Sequence, residues 1–346
     1  MTNSFQDAIQ SARGGTDLSA SLMETLIDTM LSGNANDQEI GDLLLALRSK
    51  GEAVSELVGA ARAMRRHMTP IDSPYPVLLD TCGTGGDGSG TFNISTAAAI
   101  VTAAAGVPVA KHGNRAITSK SGSADVLSAL NVNIDTDRDT VRRCLAETGI
   151  CFCFAQRLHP AMRHVGAIRK QLGVPTLFNL LGPLCNPAGA SHQVLGTGKP
   201  LIQRQLAESL QQLGVDRAVV VRGLDGLDEV TLDGATAVIE VGADGLSETQ
   251  WSPSHFGLYP AGPITMQADG PSESANIIRR ILDGHPGPCR DIVVANAAAS
   301  IWLCGKSDTL ESAAQVAGEA IDSGAARQTL AKLAELTNVY TVRDPR

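Results

Sequence analysis

The sequence predicts an α/β protein: a small helical N-terminal domain joined to a larger α/β domain with a mostly parallel central sheet. Three observations carry that prediction. Residues 1 to about 70 repeat apolar side chains at helical spacing. After a proline-rich linker, short β-prone runs alternate with helical patterns, which implies parallel strands covered on both faces. Between the first of those runs and its helix lies a glycine-dense stretch, the punctuation of strand, loop and helix.

The helical segment resolves into three stripes. Leu18, Leu22, Leu26 and Met30 fall four apart, widened by Met23 and Ile27, and Gly33 ends that helix. Asp37 is placed to cap the next, whose face is Ile40, Leu43, Leu44 and Leu47. Beyond Gly51, Val54, Leu57, Val58, Ala61 and Met64 continue the pattern, with Arg65, Arg66 and His67 in the last turn where the helix dipole favours cations. These stripes exceed what a few helices can cover, so the rest of the chain or a second copy is expected to cover them. Pro70 and the stretch Ser73 to Pro76 form the linker.

Strands are expected at 77–80, 107–110, 150–155, 194–197, 218–221 and 236–241, with helices at 94–105, 123–130, 138–148 and 200–213. Residues 161–190 break the rhythm: a helix from Ala161 to Leu172, then Pro175, Phe178 to Leu181 and Gly182-Pro183, with no strand. This reads as an excursion back to the helical domain. The expected division is 1–73 completed by 161–190, against 74–160 with 191–346.

Composition excludes several classes. Apolar residues make up 43 % of the 346-residue chain and charged residues 18 %, an ordinary α/β balance. The net charge of −8 and the two Trp and three Tyr argue against nucleic acid or an anionic membrane as partner. The seven cysteines are scattered without a C-x-x-C pair, as expected of reduced, buried residues. The N-terminus lacks a signal-peptide layout, and the apolar stretch 97–110 is too short and interrupted to span a bilayer. A cytoplasmic protein is expected.

The chemistry gathers in four places. In the first, Gly83, Gly85, Gly86, Gly88 and Gly90 let the backbone approach a ligand, and Asn93, Ser95 and Thr96 open the following helix, where free N–H groups favour an anion. No Walker motif occurs, and no acidic residue lies between Asp87 and Asp125, as a dinucleotide fold would require. A phosphate loop of another kind remains, with Asp87 suited to a sugar hydroxyl or a metal. The second place runs from Lys111 to Ser123: three cations (Lys111, Arg115, Lys120) among hydroxyls, just after a strand, which suits phosphate oxygens. Third, Asp228 and Glu229 follow another strand; they converge only if the backbone turns, and then suit Mg²⁺ shared with substrate phosphates. Last come His159 and Arg169 on the excursion, residue types that more often serve as a structural imidazole and a solvated cation, and the packed segment 178–183.

Taken together and in order, Gly83 to Asp87, Asn93 to Thr96, Lys111 to Arg115, Gly122 to Asp125, Asp228-Glu229 and the run Phe178 to Pro187 resemble the anthranilate phosphoribosyltransferase family. The resemblance spans about residues 20 to 340. It implies the two-domain fold related to pyrimidine nucleoside phosphorylase, a homodimer through the helical domain, and transfer of phosphoribose from phosphoribosyl pyrophosphate (PRPP) to anthranilate in tryptophan biosynthesis. By motif, it implies that PRPP is held by Gly83, Gly86, Asp87, Thr91, Asn93, Ile94, Ser95, Thr96, Lys111, His112, Gly113, Asn114, Arg115, Ala116, Ile117, Thr118, Ser119 and Ser123. Anthranilate falls to Gly83, Asn114 and Arg169, with His112 and His159 lining its way in. Ser95, Asp228 and Glu229 hold Mg²⁺, two ions. The chain departs from the family at Ala116, Gln156, Ala167 and Pro175; the last two flank Arg169. The resemblance assigns no general base. A pyrimidine nucleoside phosphorylase is the alternative enzyme, disfavoured by the Lys111–Arg115 run and the acidic pair. A nucleic-acid-binding relative would need a basic surface that the chain lacks.

Overall fold

The computed structural model describes residues 2–116, 120–262 and 266–339. Four helices open the chain: α1 (Thr2–Arg13), α2 (Ala20–Leu31), α3 (Asp37–Lys50) and α4 (Val54–His67). The first of them precedes the stripes legible in the sequence. Asn36, not Asp37, caps α3: its side chain accepts the Glu39 amide while the Glu39 carboxylate accepts the Asn36 amide, a reciprocal box that leaves Asp37 in the first turn.

Then come β1 (Leu79–Gly83), α5 (Ile94–Ala104), β2 (Val109–Gly113), α6 (Ser123–Ala129), α7 (Arg138–Thr148) and β3 (Ile150–Phe154). Three short helices follow, α8 (Ala155–Leu158), α9 (Arg163–Leu172) and α10 (Phe178–Leu181), and then β4 (His192–Gly196), α11 (Pro200–Gln212) and β5 (Arg217–Gly223). A hairpin, β6 (Thr236–Gly242) and β7 (Gly245–Trp251), precedes α12 (Pro271–Leu282), α13 (Pro288–Leu303), α14 (Leu310–Asp322) and α15 (Ala325–Asn338).

The strands form one seven-stranded sheet in the order β3-β2-β1-β4-β5-β6-β7. The first five are parallel and the hairpin is antiparallel, so the mostly parallel sheet expected from the alternation is present. β7 was not legible: Ser247 to Gln250 are all polar and exposed, with no apolar alternation to mark a strand. The opposite edge, β3, is buried along its length and lies against α7, α8 and α15.

Period-two alternation in the strands divides the core between the two faces of the sheet. Val219 and Val221 pack with α5 and the C-terminal helices α12 to α15. Ala218 and Val220 pack with α11 and with α1 to α4, and Val165, Ile168, Phe178 and Leu181 of α9 and α10 lie in that same cluster. The apolar stripes are therefore covered by the rest of the chain. Of the large apolar side chains described in the first four helices, Leu45 alone is exposed. No disulfide forms among the described residues, and none of their helices is long and apolar enough to cross a membrane.

Candidate active site

β1 has β2 on one side and β4 on the other, with chain order running outward in both directions. That reversal opens a crevice at the carboxyl ends of the parallel strands. Gly83 and Gly196 close β1 and β4 as register partners. Gly196 cannot carry a side chain, since a Cβ there would sit 1.6 Å from the Asp228 carbonyl oxygen; one on Gly83 would sit 2.6 Å from Asp228 Oδ2 and would push that carboxylate aside. The peptide of Asp228 lies directly on the strand ends, and glycine makes the room.

The two carboxylates leave this peptide toward different loops. Asp228 Oδ2 accepts the Gly85 amide at 2.9 Å, and Glu229 Oε1 accepts the Ser95 amide at 3.1 Å. The N-cap Asn93 makes no side-chain cap bond to α5; Glu229 supplies one from across the crevice. Burial raises the Asp228 carboxyl well above its usual range, and the charge of Asp87 adds to the effect. Glu229 is raised by burial and by Asp228, with Lys111 opposing. Asp87 Oδ2 is itself buried without a hydrogen-bond donor, while its Oδ1 accepts the Ser89 amide.

Crowded carboxylates, one with an orphaned oxygen, beside the Ser95 hydroxyl make an all-oxygen donor set that fits a hard divalent cation. Among the described residues no three His, Cys, Asp or Glu side chains form a complete metal cage. Mg²⁺ is commonly bound by one or two carboxylates together with substrate phosphates.

Lys111 is buried on β2. Its Nζ donates to the Thr81 carbonyl at 2.6 Å and to Ser95 Oγ at 3.2 Å. Asp80, fully buried behind it, accepts the His112 amide at 3.0 Å and Gln193 Nε2 at 3.3 Å; Gln193 Nε2 also donates to the Pro183 carbonyl at 2.6 Å. The strand is thereby tied to the segment after α10. Asp80 and Gln193 were not singled out in the sequence, where an Asp at the end of one expected strand and a Gln just before another carry no signal.

The glycine-rich loop is fixed at its far end. Phe92 N–H donates to the Met266 carbonyl and Ala268 N–H to the Gly90 carbonyl, and Thr91 bridges Gln267. Asn93 Oδ1 accepts both Ser121 Oγ at 2.7 Å and Ser274 Oγ at 2.9 Å. Ile94 and Thr96 are buried, Ile94 within the apolar core. Gly113 closes β2, and Ser123 opens α6, its Oγ donating to the Asn114 carbonyl at 3.4 Å. Arg115 pairs with Asp125 at 3.0 Å and lies 5.9 Å over the Phe154 ring, and the Ala116 amide donates to the same carboxylate. Gly86 has a positive φ in the loop. Ile117, Thr118 and Ser119 lie outside the described residues.

His112 and His159 meet, Nε2 to Nε2 at 3.1 Å. His112 Nδ1 lies 3.0 Å from the Gly182 carbonyl and donates to it; its Nε2 is therefore the acceptor, and His159 Nε2 the donor. Burial pushes His112 down to about 4, with the nearby Lys111 charge adding to it, and pushes His159 down to about 3, again by burial first and His112 second. Arg169 is not the solvated cation its neighbours suggest. It is half-buried, its guanidinium 5.1 Å over the Phe178 ring, burial lowers its pKa, and no acidic partner pairs with it among the described residues. No contact joins it to Asn114 or His112 among those residues.

A helical unit set against a parallel sheet with a phosphate-type loop and acidic pair at its switch point defines a two-part glycosyl transferase. The glycosyl transferase family helical bundle domain matches residues 6–68 and the family's a/b domain matches residues 75–327. The anthranilate phosphoribosyltransferase of Rhodopirellula baltica is 58 % identical over 96 % of this chain and 97 % of its own. The crystal structure of anthranilate phosphoribosyltransferase from Thermus thermophilus superposes with a TM-score of 0.90 at 41 % identity, covering 96 % of this chain and all of that one. The Saccharomyces cerevisiae enzyme in complex with PRPP and Mg gives 0.89 at 30 % identity, covering 97 % and 98 %. The chain belongs to the anthranilate phosphoribosyltransferase family. The phosphorylase alternative finds no support among these relatives.

The buried imidazole pair makes stability depend on pH. Unfolded, each takes a proton near 6.5; folded, each resists until far lower. The stability they contribute is complete above 6.5 and drains as pH falls toward their folded values. Asp228 and Glu229, raised instead, act in the opposite sense, so the test is a difference. From pH 7 to 4.5 the urea midpoint of the wild type should fall more steeply than that of His159→Gln; equal slopes would show the pair to be protonated in the fold.

Proposed function

We infer that this chain transfers the 5-phosphoribosyl group from PRPP to the amine of anthranilate, giving N-(5-phosphoribosyl)anthranilate and pyrophosphate, a step of tryptophan biosynthesis. The observation that carries it is the meeting of the glycine-rich loop, Lys111 and the Asp228-Glu229 pair at one switch point, in a chain of this family. In our reading the donor lies between that loop and the 111–123 segment. Gly83, Gly86 and the backbone of Ile94 and Ala116 give close approach. Asp87, Thr91, Asn93, Ser95, Thr96, Lys111, His112, Gly113, Asn114, Arg115 and Ser123, with residues 117–119, complete its site. Ser95, Asp228 and Glu229 would hold Mg²⁺, two ions in our proposal, and the bound metal neutralises charge on the departing pyrophosphate.

The chemistry asked of the protein is positioning and electrostatics. The bond from C1 to the pyrophosphate oxygen breaks as the amine nitrogen bonds to C1, and positive charge spreads over the ribose ring. The loops hold the leaving oxygens, and the acceptor is presented by Gly83, Asn114 and Arg169. The amine sheds a proton after attack. His112 and His159 line the approach, and we assign no general base. We read the helical unit as residues 1–73 completed by 161–190, so that Arg169 brings the acceptor to the donor held by 74–160 and 191–346. We place the protein in the cytoplasm.

Mixing the protein with PRPP, Mg²⁺ and anthranilate should extinguish anthranilate fluorescence. In the double variant Asp228→Asn, Glu229→Gln, turnover should vanish or demand far more Mg²⁺. Full activity of that variant in excess chelator would sink the metal assignment.

Arg169 stacks on Phe178 with no acid to pair it among the described residues, which leaves its fork for a carboxylate. A bond to a charged group is worth roughly 1.5–3 kcal/mol, so Arg169→Ala should raise the KM for anthranilate on the order of 10- to 100-fold. The KM for PRPP should stay within about twofold by the same reasoning. An unchanged anthranilate KM would hand the carboxylate to Asn114 and backbone groups.

We also propose a homodimer through the helical unit. The family resemblance and the exposed Leu45 on α3 support it; the buried stripes do not, because this chain covers them. Light scattering at micromolar concentration should report twice the 36.0 kDa of one chain, and a clean monomer would end the proposal.

A further inference from the structure

The Asp228-Glu229 pair sits on backbone that no strand holds. β5 ends at Gly223, and after one further bond from the Leu224 amide to the Ala235 carbonyl residues 225–234 run on without a ladder before β6. Buried peptide groups there need partners from side chains. Asp225 accepts the Leu227 amide at 3.1 Å and the Thr231 hydroxyl at 2.6 Å, and the Thr236 hydroxyl accepts the Thr231 amide at 3.0 Å. The residue after the pair is served by a side chain from a distant helix. Asn296 of α13 accepts the Val230 amide through Oδ1 at 2.9 Å and donates to the Val230 carbonyl through Nδ2 at 3.0 Å. One planar amide thus pairs with both polar groups of one residue, as a neighbouring strand would.

Asn296 is in turn fixed. Its Nδ2 also donates to the Ile292 carbonyl at 2.9 Å, and the residue is 2 % exposed on a helix buried around its circumference. A cavity of about 10 Å³, room for one water molecule, has Thr81, Ser95, Glu229, Asn296 and Ser300 in its lining. Asn296 therefore shares this cavity with Ser95 and Glu229.

We propose that Asn296 is the positioning residue of the acidic pair: its clamp on Val230 presents Asp228 and Glu229 to a divalent cation before any ligand arrives. The proposal rests on the reading that this pair holds Mg²⁺. Partners behind a metal's ligands typically govern 10- to 100-fold in metal affinity. Asparagine meets the demand because it alone offers an acceptor and two donors at this length; Leu has its volume without its bonds, and Asp has no N–H to give.

The test is metal-dependent binding without turnover. PRPP binding is followed by calorimetry across a Mn²⁺ titration, with no anthranilate present, for the wild type and for Asn296→Leu, Ser300→Ala and Asp228→Asn. Asn296→Leu should need about tenfold more Mn²⁺ for half-saturation, with PRPP affinity at saturating Mn²⁺ kept within about twofold. Ser300→Ala, which loses a buried bond to the Asn296 carbonyl on the same helix, should match the wild type. If Asp228→Asn is shifted while Asn296→Leu is not, the clamp has no positioning role. If Asp228→Asn is unshifted too, the metal reading beneath the proposal is wrong. An equal shift in Ser300→Ala would mark general loosening of the core and overturn the assignment. In the unaltered protein, the Val230 amide should exchange slowly both with and without Mg²⁺; rapid exchange without the cation would show that no clamp stands ready.

Discussion

The crevice depends on one steric fact: the Asp228 peptide lies on the end of β4 at a distance no side chain would allow. Gly83 and Gly196 are neighbours in register; the Asp228 main chain occupies the space a Cβ on Gly196 would need, and the Asp228 carboxylate the space a Cβ on Gly83 would need. Everything with charge is arranged around that contact. The glycine-rich loop hangs from Asp228 through the Gly85 amide, α5 is capped by Glu229, and Lys111 threads between Thr81 and Ser95. Gly83 thus has a use in the ligand-free chain that the motif alone does not suggest: it makes space for a carboxylate as well as for a substrate.

Like charges held this close are a cost to the fold. Burial raises both carboxyls, with the charge of Asp87 adding at Asp228 and that of Asp228 adding at Glu229, and the surrounding structure tolerates this because it is over-determined: by the Asp225, Thr231 and Thr236 bonds within the loop, and by Asn296 behind it. Sites built this way spend stability on readiness. The same logic runs through the imidazole pair, which is kept neutral by burial and oriented by the Gly182 carbonyl rather than by a charged partner.

Much of this was legible in the chain. The glycine-rich loop, the Lys111–Arg115 run and the acidic pair could be read because polar types were concentrated next to strand ends, where composition and position say the same thing. The five parallel strands followed from apolar runs between helical stripes. Asn296 and Val230 are 66 residues apart, and an Asn inside an alanine-rich helix reads as an ordinary interior residue. Ser274 and Gln193 were hidden for the same reason. β7 lacked alternation because both faces of Ser247 to Gln250 meet solvent at the sheet edge. The stripes of the first helices were read correctly as needing cover, but which surface supplied it depended on tertiary packing: Arg169 looked solvated beside Lys170 and Gln171, yet the fold lays it on Phe178.

The two edges of the sheet have a bearing on how copies of this chain can meet. At one end β3 is roofed by helices; at the other β7 turns a polar, exposed face outward from Ser247 to Gln250, with Glu248 engaged by Arg204 from α11. An outer strand so furnished is a poor template for a strand from another molecule, since charge and hydration resist the flat, dry pairing that fibril growth requires. Strand-to-strand polymerisation is discouraged at both ends, and a concentrated solution of this protein should remain clear of cross-β deposits for as long as the hairpin stays folded.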